Sequence, residues 1–435
     1  YFYPSASLGF VVTDALGMNS KFLEFAKLRG SYAKVGSDGN PYLTQVTYVQ
    51  SGTFNSQPLF YTAQPLALTD LKPEQTSSLE VGADFRLFAS KVNIDFTYYM
   101  SKSTNQIIPG FPVSAASGFS AAVINAGEIQ NNGIELMLNL IPVEKKNLTW
   151  EANFNFAKNK NKVIELAEGV DNLVLGEQWG ATIEARPGNA YGDIVGYGIR
   201  RDDSGNKLVD EYGMYIRSDT TMVLGNINPK FLLGISNELQ YKSVSLSFLI
   251  DMKIGGDIYS ASNMYAHGYS GTVIETLEGR EEWYASEDAR IAAGIDESDW
   301  IATGGYLADG VYEDGSESNG VSVEGKTNET YVNPENYWGQ FSNWGNEIHE
   351  PHVYDASYVK LREVSLGYQI PKKIVKKVKL VSVSVSIVGR NLWLIYSGTP
   401  NIDPEAAYNN GNGQGVEYGT FPIARSIGFN INATF

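Results

Sequence analysis

Tryptophans outside the regular β patterns are the residues of this chain best suited to contact a ligand directly. Trp179, Trp283, Trp338 and Trp344 all lie in long segments without strand-like alternation, as does Trp300. An indole ring on a loop can stack on a sugar or hold a peptide, because its face is large and apolar. We therefore predict substrate binding by Trp179, Trp283, Trp338 and Trp344, although loop packing or a partner interface would use the same rings.

One short segment carries residues suited to calcium. Asp202, Asp203 and Asn206 offer oxygen ligands within DDSGN, but the twelve-residue calcium loop with its closing Glu is missing. A turn within a loop hairpin is the favoured interpretation. We predict no metal site, with this set of three as the outside alternative.

The three histidines, His267, His349 and His352, give little support to a zinc site. Pro351 lies inside the sequence HEPH, so this segment cannot present two histidines one helical turn apart. We expect all three to be surface or loop residues.

The sequence contains no motif that indicates enzymatic chemistry. The 435 residues include no cysteine, and there is no Walker loop, dinucleotide glycine fingerprint or G-x-S-x-G nucleophile elbow. The 49 acidic residues supply too many carboxylate pairs to nominate a glycosidase dyad. We predict that the chain is not an enzyme and uses no cofactor.

The net charge of the chain limits the classes of ligand that it can bind. A net charge of −16 disfavours nucleic acid, since binding a phosphate backbone requires a basic surface. The segment from Glu275 to Glu329 holds 15 acidic against three basic residues. We expect it to form a solvated loop that mildly disfavours polyanionic ligands.

The elements that must position these residues are strands. Apolar and polar residues alternate strictly from Leu79 to Ala89 and again from Val92 to Met100, with only Ser90 and Lys91 between the two runs. Such alternation predicts two antiparallel strands with one apolar and one polar face. The polar face carries charges at strand centres, as at Glu80 and Asp84.

Eleven such runs extend along the chain, at residues 1–12, 25–35, 76–89, 91–103, 128–142, 147–158, 229–241, 243–254, 355–370, 380–393 and 421–435. Their connections alternate between short turns and long segments at residues 37–75, 101–130, 158–228, 255–351 and 394–420. Outer-membrane barrels have short periplasmic turns, long extracellular loops and an outer apolar band about 25 Å tall. The pattern therefore predicts an all-β, antiparallel transmembrane β-barrel.

An odd number of strands cannot close this barrel alone. Bacterial barrels have an even number of strands with both ends in the periplasm, and an open sheet would leave unpaired edges in lipid. We therefore expect a further segment with an odd number of strands. The sequence also has no apolar run of about 20 residues, and its first residues, YFYPSASLGF, lack signal-peptide features. We expect a mature or truncated chain.

Several blocks, in collinear order, resemble SusC/RagA-type TonB-linked outer-membrane proteins. They are SLEVGADFRLFASKVNIDFTYYMSKSTNQI, INAGEIQNNGIELMLN, residues 225–260, DASYVKLREVSLGYQIP and GRNLWLIYSGTPNIDPEAAY, with Phe435 as an aromatic C-terminus. The resemblance implies a barrel of about 22 strands, of which about 11 are present. Residues 1–435 would be its C-terminal half, with the plug domain and the N-terminal barrel half absent.

This resemblance also implies a function and partners. We expect TonB-dependent import of an oligosaccharide or peptide through the bacterial outer membrane, together with a SusD-like surface lipoprotein. Contact with the TonB complex would run through the missing N-terminal part. A passive porin and a soluble β-rich glycan-binding module remain the alternatives.

Overall fold

The strands predicted from the alternation form a single antiparallel meander in a computed structural model of the chain. The structure describes residues 2–18, 20–62, 65–167, 169–318, 321–411 and 413–435. Eleven strands pair with their sequence neighbours in one sheet. They are β1 (Ser5–Val11), β2 (Leu23–Ser37), β3 (Glu74–Leu87), β4 (Val92–Pro112), β5 (Ala121–Lys145), β6 (Leu148–Glu165), β7 (Phe231–Tyr241), β8 (Val244–Ile254), β9 (Tyr358–Gln369), β10 (Ser382–Ser397) and β11 (Ser426–Thr434). The eleven predicted runs are therefore confirmed in number and order.

Within the described ranges, five α-helices lie between these strands: α1 (Val12–Ala15), α2 (Ala261–Gly268), α3 (Arg280–Ala293), α4 (Pro334–Gly339) and α5 (Lys372–Val375). Short 3₁₀ turns cover Ala115–Ser117, Ile274–Leu277, Glu297–Asp299, Gln340–Ser342, Glu350–His352 and Lys376–Val378. None of the helices among the described residues is long and apolar enough to cross a membrane.

Short and long connections alternate as expected, with one exception. The short-turn end of the sheet carries residues 88–91, 146–147 and 242–243, and the long-loop end carries residues 38–73, 166–230, 255–357 and 398–425. The long connection predicted at residues 101–130 is wrong. Strands β4 and β5 continue pairing as far as Pro112 and Ala121, because backbone hydrogen bonding does not need the alternation that membrane burial imposes.

The apolar residues of successive strands form continuous rows on one face of the sheet. Leu239, Leu246, Leu366, Ile387 and Phe429 are direct neighbours from β7 to β11. A second row joins Phe96, Leu136, Phe156, Leu233 and Met252 from β4 to β8. Rows that cross five strands without a polar interruption fit a band that meets lipid.

The opposite face is polar and extensively hydrogen-bonded. The Arg29 guanidinium on β2 pairs with Asp84 and Asp95, which oppose each other on β3 and β4. Asn93 donates to Asn139 at 2.9 Å, and Asn139 donates to Asn153 at 2.6 Å. This amide ladder satisfies polar groups across β4, β5 and β6, as the lining of a water-filled interior requires.

The two outer strands leave their far edges open. Among the described strands, β1 pairs only with β2 and β11 only with β10. Phe429 is 81% and Leu8 is 76% exposed. The sheet therefore remains unclosed, with apolar side chains along both edges.

Candidate functional site

The long loops fold into ordered structure of their own at the long-loop end of the sheet. A four-stranded sheet combines Leu173–Gln178, Ala181–Ala185, Asp193–Gly196 and Met222–Asn226, and a three-stranded sheet combines Asp257–Ser260, Val353–Asp355 and Val416–Glu417. Shorter pairs join Leu208–Val209 to Val311–Tyr312, Glu317–Ser318 to Val321–Ser322, and Tyr48–Phe54 to Gln57–Thr62.

A shared core joins three of these loops. Ile183, Tyr259 and Val416 come from residues 166–230, 255–357 and 398–425, and they pack in one buried cluster with Met264 of helix α2. The sequence predicted a solvated loop for residues 275–329, yet this segment contributes Ala308 and Tyr312 to a second buried cluster. The loops therefore give surface side chains a rigid support, which favours defined binding geometry.

Two of the predicted tryptophans meet on the surface of this loop domain. The ring of Trp179 lies 4.9 Å from Tyr265, 5.1 Å from Tyr418 and 6.2 Å from Trp344 between centroids. Tyr265 stacks on Tyr269 at 4.9 Å. We call these five residues the aromatic platform.

The platform faces solvent through most of its members. Trp344 is 76%, Tyr269 58% and Tyr418 37% exposed. Large exposed apolar patches in a soluble region mark binding surfaces. The platform is therefore a candidate ligand site.

A hairpin turn fixes Trp179 at the platform. Its backbone has φ +50°, and Gly180 follows with φ +74°, a conformation that glycine adopts without steric cost. The carbonyl of Trp179 accepts a hydrogen bond from Nε2 of His349 at 3.0 Å, and Nδ1 of His349 accepts from the Tyr197 amide at 3.0 Å. This pair of bonds requires one tautomer of a neutral imidazole.

Trp283 is not a member of the platform and lies in a groove of about 1200 Å³ that it lines with Trp300 and Tyr312. Trp300 is a loop residue outside the four tryptophans for which the sequence predicts binding. The sequence could not reveal that Trp300 shares a groove with Trp283, because only the folding of residues 280–301 brings the two side chains to one groove.

Trp338 is a packing residue. Its ring stacks on His267 at 4.5 Å and lies 5.0 Å from Tyr337 and 6.0 Å from Phe341. Helix α4 points it towards the loop core, where Tyr337 and Phe341 are buried. Loop packing, the alternative considered for these tryptophans, describes Trp338 best.

The three histidines are loop residues, but they are not on the surface. His349 and His352 are each 1% exposed and His267 is 5% exposed. Nε2 of His352 lies 3.3 Å from Nδ1 of His267. Burial lowers the pKa of all three, that of His352 to about 3.

This buried cluster predicts that the loop domain weakens in acid. The unfolded imidazole binds protons below its ordinary pKa near 6.5, whereas the folded His352 stays neutral, so stability is complete above that pH and falls as the pH drops. We expect a loss of about 2 kcal/mol between pH 7 and pH 5 from His352 alone. Hydrogen exchange of residues 255–357 at several pH values measures this loss of stability. The His352→Phe variant should make the stability of these loops less dependent on pH.

Asp202, Asp203 and Asn206 lie in a hairpin turn closed by the bridge between Arg201 and Lys207. Oδ1 of Asp202 accepts the amides of Ser204 at 2.9 Å and Asn206 at 2.8 Å. The side-chain amide of Asn206 donates to Oδ2 of Asp202 at 2.9 Å. Both oxygens of Asp202 therefore serve the turn, and no group of three His, Asp or Glu residues in the described ranges could hold a metal ion.

A charged cluster that the sequence did not nominate joins a loop to the sheet. Nζ of Lys360 on β9 lies 2.6 Å from Asp403 and 2.6 Å from Glu405. Arg362 pairs with Glu405, and also with Asp251 on β8 at 2.7 Å. Burial opposes ionisation of Glu405, but hydrogen bonds from Arg362 and Lys360 outweigh it and lower its pKa to about 2.

We call Lys360, Arg362, Asp251, Asp403 and Glu405 the loop anchor. The segment IDPEAAY belongs to a block that resembles the family, but nothing in the sequence links its two acids to the basic residues some forty positions earlier. The same segment continues to Tyr418 of the platform. The anchor therefore connects one platform element to the polar face of the sheet.

Comparison with known proteins gives a consistent family. A family model described as TonB dependent receptor-like, beta-barrel matches residues 1–392. TonB-dependent receptor P3 of Formosa agariphila is 26% identical over 469 aligned positions, covering 100% of this chain and 42% of the receptor. TonB-dependent receptor SusC of Bacteroides thetaiotaomicron is 23% identical over 308 positions, covering 63% of this chain and 31% of that receptor.

Solved structures show the same fold. The RagAB peptide importer in its closed-closed state aligns with a TM-score of 0.69 and 17% identity, covering 99% of this chain and 43% of the importer chain. The open-open state gives a TM-score of 0.69 at 16% identity. This chain spans about two fifths of the length of the proteins it matches over its full extent.

Proposed function

Because this chain belongs to the TonB-dependent receptor-like β-barrel family, we propose that it forms one side of an importer that carries an oligosaccharide or peptide across the bacterial outer membrane. The chain is part of an outer-membrane β-barrel, and its family is non-enzymatic. A soluble glycan-binding module is therefore excluded.

The open edges support a barrel completed by further strands. β1 and β11 each present an unpaired edge with exposed apolar side chains, and such edges are not tolerated in lipid. We propose that residues 1–435 are the C-terminal half of a barrel of about 22 strands. The other half, with a plug and a TonB box, would precede it.

Energy coupling separates active import from a passive porin. A barrel of this size has to be plugged, because an open lumen would leak. We expect uptake by cells carrying the full-length protein to cease when TonB is deleted or a protonophore collapses the inner-membrane gradient. Uptake that continues under both treatments would establish the porin instead.

The aromatic platform is the observation that carries our assignment of cargo. Flat rings on a rigid support suit stacking on sugar rings or on peptide side chains, and each such contact contributes about 0.5–1.5 kcal/mol. A SusD-like lipoprotein closing over the platform would shield bound cargo from water.

Removing both platform tryptophans tests this role. We expect Trp179→Ala with Trp344→Ala to weaken cargo binding by the full-length protein about tenfold or more, because two stacking contacts are lost. Oligosaccharide and peptide mixtures are first passed over the immobilised protein to collect the fraction that it retains. Calorimetry with this retained fraction then measures the change in binding affinity.

Phe54→Ala is the matched control, since Phe54 is an exposed aromatic residue (66%) on a different loop. The double variant must first show an intact barrel by its heat-dependent electrophoretic mobility. If this variant then binds cargo as tightly as the unmodified protein, the platform has no role in cargo binding.

A further inference from the structure

The groove lined by Trp283 and Trp300 differs from the aromatic platform because several carboxylates line it beside the rings. It measures about 1200 Å³ and lies between the turn at residues 210–214 and residues 283–336. We propose that this groove binds a cationic peptide segment, with lysine or arginine side chains placed between its aromatic walls and its carboxylates. The inference rests on the proposed function only in treating that peptide as cargo.

The floor of the groove is rigid. Tyr312 is 4% exposed and belongs to the buried cluster of Val209, Tyr337 and Phe341. Its hydroxyl lies 2.7 Å from Oγ1 of Thr330 and accepts the amide of Glu329 at 3.0 Å. The floor is therefore defined before any ligand arrives.

The two tryptophan walls are also held in place. Nε1 of Trp300 donates to Oγ of Ser286 at 3.0 Å, and the same oxygen accepts the Thr303 amide at 2.9 Å. Ser286 is the buried residue of helix α3. A Cβ at Gly305 would meet Cε3 of Trp283 at 2.9 Å, so the glycine leaves the space that the Trp283 ring occupies. Preorganised rings cost little ordering entropy on binding.

Charge decides the class of ligand. Six carboxylates line the groove against a single lysine: Asp210, Glu211, Glu287, Glu297, Glu317, Glu329 and Lys326. Arg290 neutralises Glu287 at 2.9 Å. Arg290 also attracts Glu297 at longer range, whereas Glu317 and Glu329 form no ion pair with a lysine or arginine among the described residues. An indole face attracts a cation, and surrounding carboxylates reinforce that attraction while repelling anions.

The groove continues towards the platform. A polar pocket of about 370 Å³ is lined by Tyr269 at one side and by Trp283, Trp338 and Arg280. Tyr269 belongs to the platform, and Trp283 also lines the groove. An extended chain can therefore contact both sites, which suits a peptide of several residues better than a single amino acid.

Fluorescent peptides of matched length test the charge preference in the purified full-length protein. The probe is a dansyl-labelled heptapeptide with lysine at alternate positions, compared with glutamine and glutamate versions. We expect the lysine peptide to bind at least about tenfold more tightly than the glutamine peptide at low salt, and this preference should shrink as salt is added.

Two variants separate charge from stacking. Glu297→Gln with Glu329→Gln should reduce the lysine preference about fivefold and leave the glutamine peptide unchanged. Trp283→Ala should weaken both peptides. Asp288→Asn is the matched control, because Asp288 lies on the exposed side of helix α3 outside the groove.

Equal binding of the three peptides, or loss of the lysine preference in Asp288→Asn as much as in the glutamate double variant, would overturn the cationic assignment. Retention of neutral oligosaccharide in the groove, lost in Trp283→Ala, would also overturn it. These binding results do not depend on transport. If the groove does not prefer cationic peptides but TonB-dependent uptake continues, the proposed function therefore still holds.

Discussion

Replacing Lys360 by alanine is expected to release residues 398–425 from the sheet. The Lys360 side chain is 6% exposed, and its partners Asp403 and Glu405 are 11% and 24% exposed. Removing Lys360 leaves Asp403 without its cation and Glu405 with Arg362 alone, and breaking a buried ion pair in this way costs about 3–5 kcal/mol. Hydrogen exchange and limited proteolysis of residues 398–425 in the full-length protein measure the release.

An exposed ion pair on neighbouring strands supplies the control. Arg390 and Glu363 lie 2.8 Å apart with side chains 65% and 39% exposed, so Arg390→Ala should change stability by less than about 1 kcal/mol. Because residues 398–425 also carry Tyr418, the Lys360 variant should weaken cargo binding at the platform. Normal protection of this loop in Lys360→Ala would refute the anchor.

Placing arginine at Leu366 is the second change with a large expected effect. Leu366 lies in the middle of the apolar row between Leu246 and Ile387. A charged side chain on the lipid face of a barrel costs up to about 2–4 kcal/mol, with the full cost at the bilayer midplane. We expect Leu366→Arg to lower the folded fraction in outer membranes and the denaturant midpoint in lipid vesicles.

Ser365→Arg tests the same strand on its other face. Ser365 alternates with Leu366 and pairs with Ser247 on the polar side of the sheet, where an added charge meets water instead of lipid. We expect near-normal assembly of this variant. Equal damage from both substitutions would contradict the division into a lipid face and a lumen face.

Strands were predictable because their signal is local. Phe96, Leu138, Phe248 and Val385 lie on one face of the sheet, as their alternation indicated, because side chains of a strand point to opposite sides at every step. The ladder beyond residue 103 was missed, since Gln106 and Ala126 pair through backbone groups that carry no sequence pattern. The buried histidines were missed for a similar reason, because their burial depends on loops distant in the chain.

By itself, the sequence determined the strand count, the alternation of short and long connections and the family, because each is written in residues close together along the chain. Only the tertiary structure decided how the loops use their aromatic and charged residues. It joined Trp179 to Trp344, placed Trp283 with Trp300, packed Trp338 against His267 and linked Lys360 to Glu405. These contacts join positions up to 165 residues apart, and no local periodicity encodes them.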